Sequence, residues 1–247
     1  MSTIDFASKE QQQTPLRIFN YGRTGTGKTY SLRTLPESMR PAYMLDFDQG
    51  SRALVGAFEK GQLHGRTFDL VVTDKRGKDV PAMYEQAIES IVKIPEEYPE
   101  TKTLILDSFT LLVSAILDFS VHKVQNRRPN DYSASKADYG IVTNLGTKFV
   151  LACLQTGFNL IFLGHERETT NEEGNVIKAG PALSPALANN VLRLFDEIIH
   201  STVKRGEFSW TMKPKGLYDA RSRALADDPR DSVAQDYSVY TNSVPIV

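Results

Sequence analysis

The chain has 247 residues, 40% of them apolar, which favours one large α/β domain with a sizeable core. Its net charge of −1 excludes a globally basic nucleic-acid binder, so any polyanion other than a nucleotide must meet a local patch. The single cysteine, Cys153, excludes a disulfide or a cysteine-rich zinc site within one chain and indicates a reducing compartment.

The amino-terminal segment is polar and contains a run of three glutamines, Gln11 to Gln13. It lacks the apolar centre of a signal peptide, and no run of about eighteen apolar residues occurs anywhere in the chain. We therefore expect a flexible segment over residues 1–14 and a soluble, cytoplasmic protein that has no membrane partner.

Short apolar runs then alternate with helical patterns, which is typical of a parallel sheet with crossover helices. The pattern predicts an α/β fold whose mostly parallel sheet is flanked by helices on both faces. The predicted strands are 16–21, 42–47, 68–73, 103–107 and 159–164, and the predicted helices are 28–35, 51–60, 81–94, 109–124 and 138–156.

After residue 164 the pattern changes. A polar stretch over 166–180 precedes a helix that Ser184 caps and Pro185 begins. Antiparallel strands are predicted at 196–203, 207–212 and 217–223, joined by turns. The domain is therefore expected over residues 15–226, followed by an extended tail or contact arm over 227–247.

The loop between the first strand and the first helix has a phosphate-binding pattern. Its glycines allow backbone N–H groups to point at phosphate oxygens, the lysine neutralises the terminal phosphates, and the threonine hydroxyl binds magnesium. The pattern predicts a site for ATP and Mg²⁺. Its residues are Gly22, Arg23, Thr24, Gly25, Thr26, Gly27, Lys28 and Thr29.

Carboxylates follow two of the predicted strands. Asp107 ends a buried strand and is predicted to join Thr29 in the magnesium site; the alternative is a cap for the helix that begins near Phe109. Asp46 and Asp48 share one face of an extended strand, so either could hold the attacking water.

His165 follows a third strand, at the edge where ligands bind in open α/β folds. It is placed to donate a hydrogen bond to the γ-phosphate, and the alternative is a purely structural histidine.

In these motifs the chain resembles the RecA-like P-loop ATPases over residues 15–226, most closely the compact phage-encoded members associated with single-strand annealing and recombination. Residues 22–29 resemble their Walker A loop and 104–108 their Walker B strand. Asp48 matches the position of the catalytic carboxylate, where the family usually has Glu. Residues 164–166 resemble the segment that senses the γ-phosphate, and 138–140 and 218–223 also resemble segments of the phage group.

Arg221 and Arg223 lie two apart on a predicted strand, so both guanidinium groups face one side. The resemblance implies that they complete a neighbouring subunit's ATP site in trans, within a homo-oligomeric ring or filament. The alternative is a solvated edge strand that basic residues protect from pairing.

Basic and aromatic residues before the helix 138–156 have a composition suited to single-stranded DNA, because cations neutralise phosphates and aromatic rings stack on bases. These candidates are Lys123, Arg127, Arg128, Tyr132 and Lys136. A second candidate is the polar stretch 166–180, which resembles a RecA DNA loop in position only. Ordinary exposed loops are the alternative in both places.

The resemblance implies an ATPase that acts on single-stranded DNA in phage recombination or annealing, in the cytoplasm of a bacterial host. A single-strand-binding protein or another recombination protein is the implied protein partner. Two other classes stay open: a nucleotide-switched loader or interaction protein, and a small-molecule kinase. A GTPase is disfavoured because the guanine-binding pattern Asn-Lys-x-Asp is absent.

Overall fold

The computed structural model describes residues 14–73, 77, 79–124 and 134–243. Its described residues form eleven strands, nine of which belong to one sheet. The strands are β1 (Arg17–Gly22), β2 (Ala42–Asp46), β3 (Leu63–Thr67), β4 (Val71–Thr73), β5 (Asp79–Pro81), β6 (Thr103–Asp107), β7 (Asn159–Thr170), β8 (Val176–Pro181), β9 (Glu197–Lys204), β10 (Glu207–Thr211) and β11 (Ser232–Ala234).

The large sheet has the strand order β11-β10-β9-β1-β7-β6-β2-β3, and β8 pairs with the extension of β7. The six strands from β9 to β3 are parallel, whereas β10 and β11 add to β9 in antiparallel fashion. The expected fold class is confirmed: a mostly parallel sheet flanked by helices, with antiparallel strands at its end. Strand β7 lies between β1 and β6, so the carboxyl ends of these three parallel strands meet at the same edge of the sheet.

Five α-helices lie within the described ranges: α1 (Lys28–Ser31), α2 (Met83–Glu97), α3 (Phe109–Phe119), α4 (Lys136–Gln155) and α5 (Pro185–Val191). A 3₁₀ turn at Leu32–Thr34 continues α1, and a π-helical turn at Ser120–Val124 continues α3. Ser184 caps α5 as predicted, since its hydroxyl accepts a hydrogen bond from the Leu187 N–H. None of the helices in these ranges is both long and apolar enough to cross a bilayer.

Alternate residues of the central strands enter two hydrophobic clusters, one on each face of the sheet. Leu104 and Leu106 pack with helices α2 to α5, while Ile105 packs on the other face with Leu32 and Leu35, which follow α1, and with the carboxyl-terminal segment. The sheet is therefore covered on both sides, and its carboxyl edge is where polar side chains can gather.

Three predicted elements are wrong. Residues 51–60 form only a short 3₁₀ turn at Ser51–Leu54 rather than a helix. A parallel strand of the large sheet was expected at 68–73, but the strand at that place in the sheet is β3, which ends at Thr67. Within 68–73 only β4 is a strand, and it pairs with β5 in a separate two-stranded sheet. Residues 217–223 make isolated bridges at Tyr218 and Arg221 instead of a continuous strand.

The polar stretch 166–180 is an antiparallel hairpin rather than a loop, because β7 runs on to Thr170 and pairs with β8. The segment expected as an extended tail instead returns to the sheet. Within its described part, β11 pairs with β10, and a 3₁₀ helix at Tyr237–Ser243 buries Tyr237 and Tyr240 completely.

Candidate nucleotide-binding and active site

The phosphate loop joins the end of β1 to the start of α1. Gly25 and Gly27 have φ values of 81° and 80°, the left-handed region that glycine adopts without strain. A Cβ on Gly22 would lie 2.3 Å from the carbonyl oxygen of Ser201 on β9, so only glycine fits there. The glycines at these three positions thus shape a loop that can wrap an anion.

The side chain of Lys28 folds back over this loop. Its Nζ donates hydrogen bonds to the carbonyl oxygens of Gly22 and Arg23, both at 2.9 Å. Burial lowers the pKa of the Lys28 ammonium, and the nearby Asp107 carboxylate acts in the opposite direction. A phosphate in the loop would supply the negative charge that this buried cation lacks.

The two residues predicted to bind magnesium, Thr29 and Asp107, are in contact. The Thr29 hydroxyl donates a 2.6 Å hydrogen bond to Asp107 Oδ2, and a Cβ on Gly50 would lie 3.4 Å from the same oxygen. Burial raises the pKa of Asp107 to about 6, an effect that a bound cation would reverse. The helix cap is Ser108 rather than Asp107, since the Ser108 hydroxyl accepts the Leu111 N–H.

These two oxygen ligands suit Mg²⁺, which commonly takes one or two protein ligands and completes its shell with phosphate oxygens and water. Among the described residues, no group of three or more His, Cys, Asp and Glu could hold a metal ion by itself. The site therefore fits a metal that arrives with a nucleotide.

Asp46 and Asp48 do not share a role, because β2 ends at Asp46 and the chain turns. Asp46 is buried, and its two carboxylate oxygens accept the N–H groups of Gly50 and Ser51 at 2.9 and 3.0 Å. Asp48 instead remains partly exposed beside the phosphate loop. The geometry leaves Asp48 as the carboxylate that solvent can reach.

Two side chains hold Asp48. Ser108 donates its hydroxyl to Oδ1 at 3.0 Å, and His165 Nε2 lies 3.1 Å from Oδ2. Burial alone would raise the pKa of Asp48, but the hydrogen bonds from His165 and Ser108 outweigh it and keep the pKa below its usual value. Asp48 is thus an ionised acceptor, suited to orienting a water molecule.

A buried histidine–carboxylate contact that no sequence motif predicted joins β7 to β9. His200 Nε2 and Glu166 Oε2 are 2.6 Å apart, and both side chains are 4% exposed. Arg23 of the phosphate loop contacts Glu166 at 3.6 Å and also pairs with Glu168. The sequence signal that could have indicated this contact is a histidine inside the mostly apolar strand β9.

The two predicted arginines have separate contacts. Arg221 donates hydrogen bonds to the carbonyl oxygens of Leu192 and Phe195, at 2.9 and 2.7 Å. Arg223 has a 55% exposed side chain and lies 3.5 Å from Asp196. The side chains therefore do not form a paired basic face, and Arg221 is engaged within its own chain.

Of the predicted DNA-binding residues, Arg127, Arg128 and Tyr132 lie outside the described residues. Lys123 pairs with Glu85 at 2.6 Å, which offsets its charge. Lys136 is exposed at the first position of α4.

A better-placed cation is Arg167, two residues after His165 on β7. Its backbone pairs with β8, whereas its exposed side chain makes no hydrogen bond or ion pair within the described part of the chain. It lines two adjoining clefts of about 240 and 200 Å³, the first shared with the half-exposed ring of Tyr139 and the second with Lys178.

A family model described as an AAA domain matches residues 14–224, which span β1 to the segment that follows β10. No curated protein is found to match the chain. The match covers the phosphate loop, Asp107 and the Asp48–His165 contact together, and it indicates a nucleotide-binding P-loop ATPase that usually works with Mg²⁺. The chain therefore belongs to the AAA domain family.

Proposed function

We propose that this protein is a magnesium-dependent ATPase of RecA-like organisation whose hydrolysis is coupled to single-stranded DNA. Lys28 and the loop would hold the phosphates, Thr29 and Asp107 would hold the metal, and Asp48 would orient the attacking water. The resemblance of these motifs to phage annealing and recombination proteins supports the biological setting. ATP binding that controls a protein partner is the competing function.

Strand β7 is the observation that carries the DNA part of the proposal. His165, which contacts Asp48, and Arg167 alternate onto the same face of this strand. A movement of His165 on hydrolysis of the γ-phosphate would therefore shift Arg167, two residues further along the same strand, and change the clefts that Arg167 lines. The Arg167 guanidinium and the Tyr139 ring line the same cleft, and they would supply the phosphate contact and the stacking face that single strands use.

The proposal is tested by measuring ATP turnover with and without a thymidine oligonucleotide, and oligonucleotide affinity at several salt concentrations. Wild-type protein should be stimulated by the oligonucleotide. Arg167→Ala should retain basal turnover, lose most of the stimulation, and lower the slope of log affinity against log salt by about 0.7, as expected for one lost phosphate contact.

Lys148→Ala is the matched control, because Lys148 is an exposed cation on α4 that does not line either cleft. It should behave like the wild type. Turnover that no oligonucleotide alters would reject the DNA part and favour the nucleotide-switched interaction protein. Turnover only with a small phosphate acceptor would favour a kinase.

A further inference from the structure

The positions of the candidate site residues indicate how a nucleoside triphosphate would lie along the carboxyl edge of the sheet. Asp48 and His165, which would face the γ-phosphate, lie on the β2 and β7 side of the loop. Thr29 and Asp107 mark the metal position next to them. The base of a nucleoside triphosphate is the end most distant from its γ-phosphate, so it is expected on the opposite side of β1, towards β9 and β10.

An exposed aromatic ring lies on that side. Phe208 is on β10, opposite Val203, and is 48% exposed. It alternates onto the same face of β10 as Trp210, which is fully buried in the cluster that contains Leu32 and the carboxyl-terminal Tyr237. Phe208 thus continues a buried aromatic face into solvent at the edge of the sheet.

The Phe208 ring also contacts the phosphate loop itself. A Cβ built on Gly27 would lie 2.8 Å from Phe208 Cδ1 and 2.9 Å from Gln235 Oε1. The Gln235 amide donates to the carbonyl oxygens of Thr26, at 2.9 Å, and Ser209, at 3.2 Å. The Phe208 ring therefore lies beside the last glycine of the loop, and about half of its surface is exposed.

We propose that Phe208 is the stacking surface for the base of the bound nucleoside triphosphate. This inference rests on the proposed function, because it requires a nucleotide in the phosphate loop. Stacking on an aromatic ring adds affinity through the base alone and leaves the phosphate contacts of Lys28 and Thr29 unchanged.

The test compares two probes by calorimetry in the presence of Mg²⁺: ATP, and inorganic triphosphate, which has no base. Phe208→Ala should weaken ATP binding about tenfold, the size expected for one lost base–aromatic stack, and leave triphosphate binding unchanged. Phe208→Tyr should retain wild-type ATP affinity because it keeps the ring.

Two further variants separate stacking from packing. Phe208→Leu keeps an apolar side chain against Gly27, so it should lose ATP affinity as Phe208→Ala does. Tyr30→Ala removes a more exposed ring on α1, 61% accessible, that adjoins the same loop, and should have no effect. Full ATP affinity in Phe208→Leu, or an ATP-specific loss in Tyr30→Ala alone, would overturn the assignment.

The remaining outcomes are also decisive. Equal losses of ATP and triphosphate affinity in Phe208→Ala would mean that the ring only supports the loop, and the assignment fails. Unchanged ATP affinity in that variant overturns the inference alone. Absence of ATP binding by the wild-type protein overturns the proposed function together with the inference.

Discussion

Asp46 and Asp48 show how two neighbouring carboxylates of one chemical type acquire different tasks. Asp46 accepts two backbone N–H groups and closes the turn after β2, whereas Asp48 accepts from side chains that belong to β7 and to the start of α3. The first set of contacts is local and structural. The second set joins residues 60 and 117 positions apart at the site.

We predict that Asp46→Asn destabilises the fold, because the amide NH₂ would face a backbone N–H that needs an acceptor. The expected loss of unfolding free energy is about 1 to 3 kcal/mol, measured by urea denaturation. Asp48→Asn is the control and should lose less, since its side chain is partly exposed. Equal stability of Asp46→Asn and the wild type would contradict the structural role.

His200 gives a prediction about pH. Burial lowers the pKa of His200, more than the adjacent Glu166 carboxylate raises it. As the pH falls, the His200 imidazole of the unfolded chain takes up a proton near pH 6.5, whereas that of the folded protein does so only at a lower pH. The free energy of unfolding therefore decreases as the pH falls below about 6.5.

The His200→Gln variant has no titrating ring, and its amide can still donate to Glu166. Unfolding free energies measured between pH 8 and pH 5 should fall more steeply for the wild type than for this variant. Asp107 and Glu197, whose pKa values are raised by burial, act in the opposite sense in both proteins and cancel in the comparison. Parallel curves would show that His200 does not titrate as described.

Among the secondary-structure elements, the strands that the sequence predicted best are those in which every residue is buried. β6 was predicted to the residue because Thr103 to Asp107 are all buried and mostly apolar. β3 was missed because the Leu63–Thr67 segment is partly exposed and its apolar and polar residues do not alternate. This segment is a strand because it pairs with β2, and its own residues do not predict that pairing.

The same distinction applies to the site. The loop 22–29 and the Thr29–Asp107 contact follow from a short motif and from a carboxylate at a strand end. The choice between Asp46 and Asp48 depends on the turn after β2, and the Glu166–His200 pair depends on β7 and β9 flanking β1. Contacts of that kind arise from the packing of distant segments, which no local pattern encodes.

The carboxyl-terminal segment offers a test at this scale. Tyr237 packs edge-on to Trp210, with ring centroids 4.7 Å apart, and the Tyr240 hydroxyl donates to the buried Glu197 at 2.9 Å. Deleting residues 232–247 should therefore cost more than about 3 kcal/mol of unfolding free energy, the usual effect of losing large buried aromatics. Tyr240→Phe, which loses only the hydroxyl, should cost about 1 kcal/mol. A truncated chain of wild-type stability would support the extended tail expected from sequence.

For the whole molecule, assembly is the open prediction. The Arg223 backbone N–H donates to the carbonyl oxygen of Asp196, and the Asp196 N–H donates to the carbonyl oxygen of Arg17 at the start of β1. Arg223 therefore lies at the end of the sheet opposite the phosphate loop. It can reach an ATP site only in a neighbouring copy. Arg223→Ala chains and Lys28→Ala chains should each hydrolyse ATP poorly, yet recover activity when mixed, because one supplies the loop and the other the arginine. Co-assembled mixtures that stay inactive would place Arg223 outside the reaction.

The role of Asp48 is tested by a single-turnover measurement of ATP hydrolysis by the Asp48→Asn variant, with ATP affinity measured in parallel. We predict an ATP affinity within about twofold of wild type, since Lys28, Thr29 and Asp107 are intact, and a hydrolysis rate lower by a factor of about 100 or more. An unchanged rate would contradict the assignment of Asp48 as the residue that orients the attacking water.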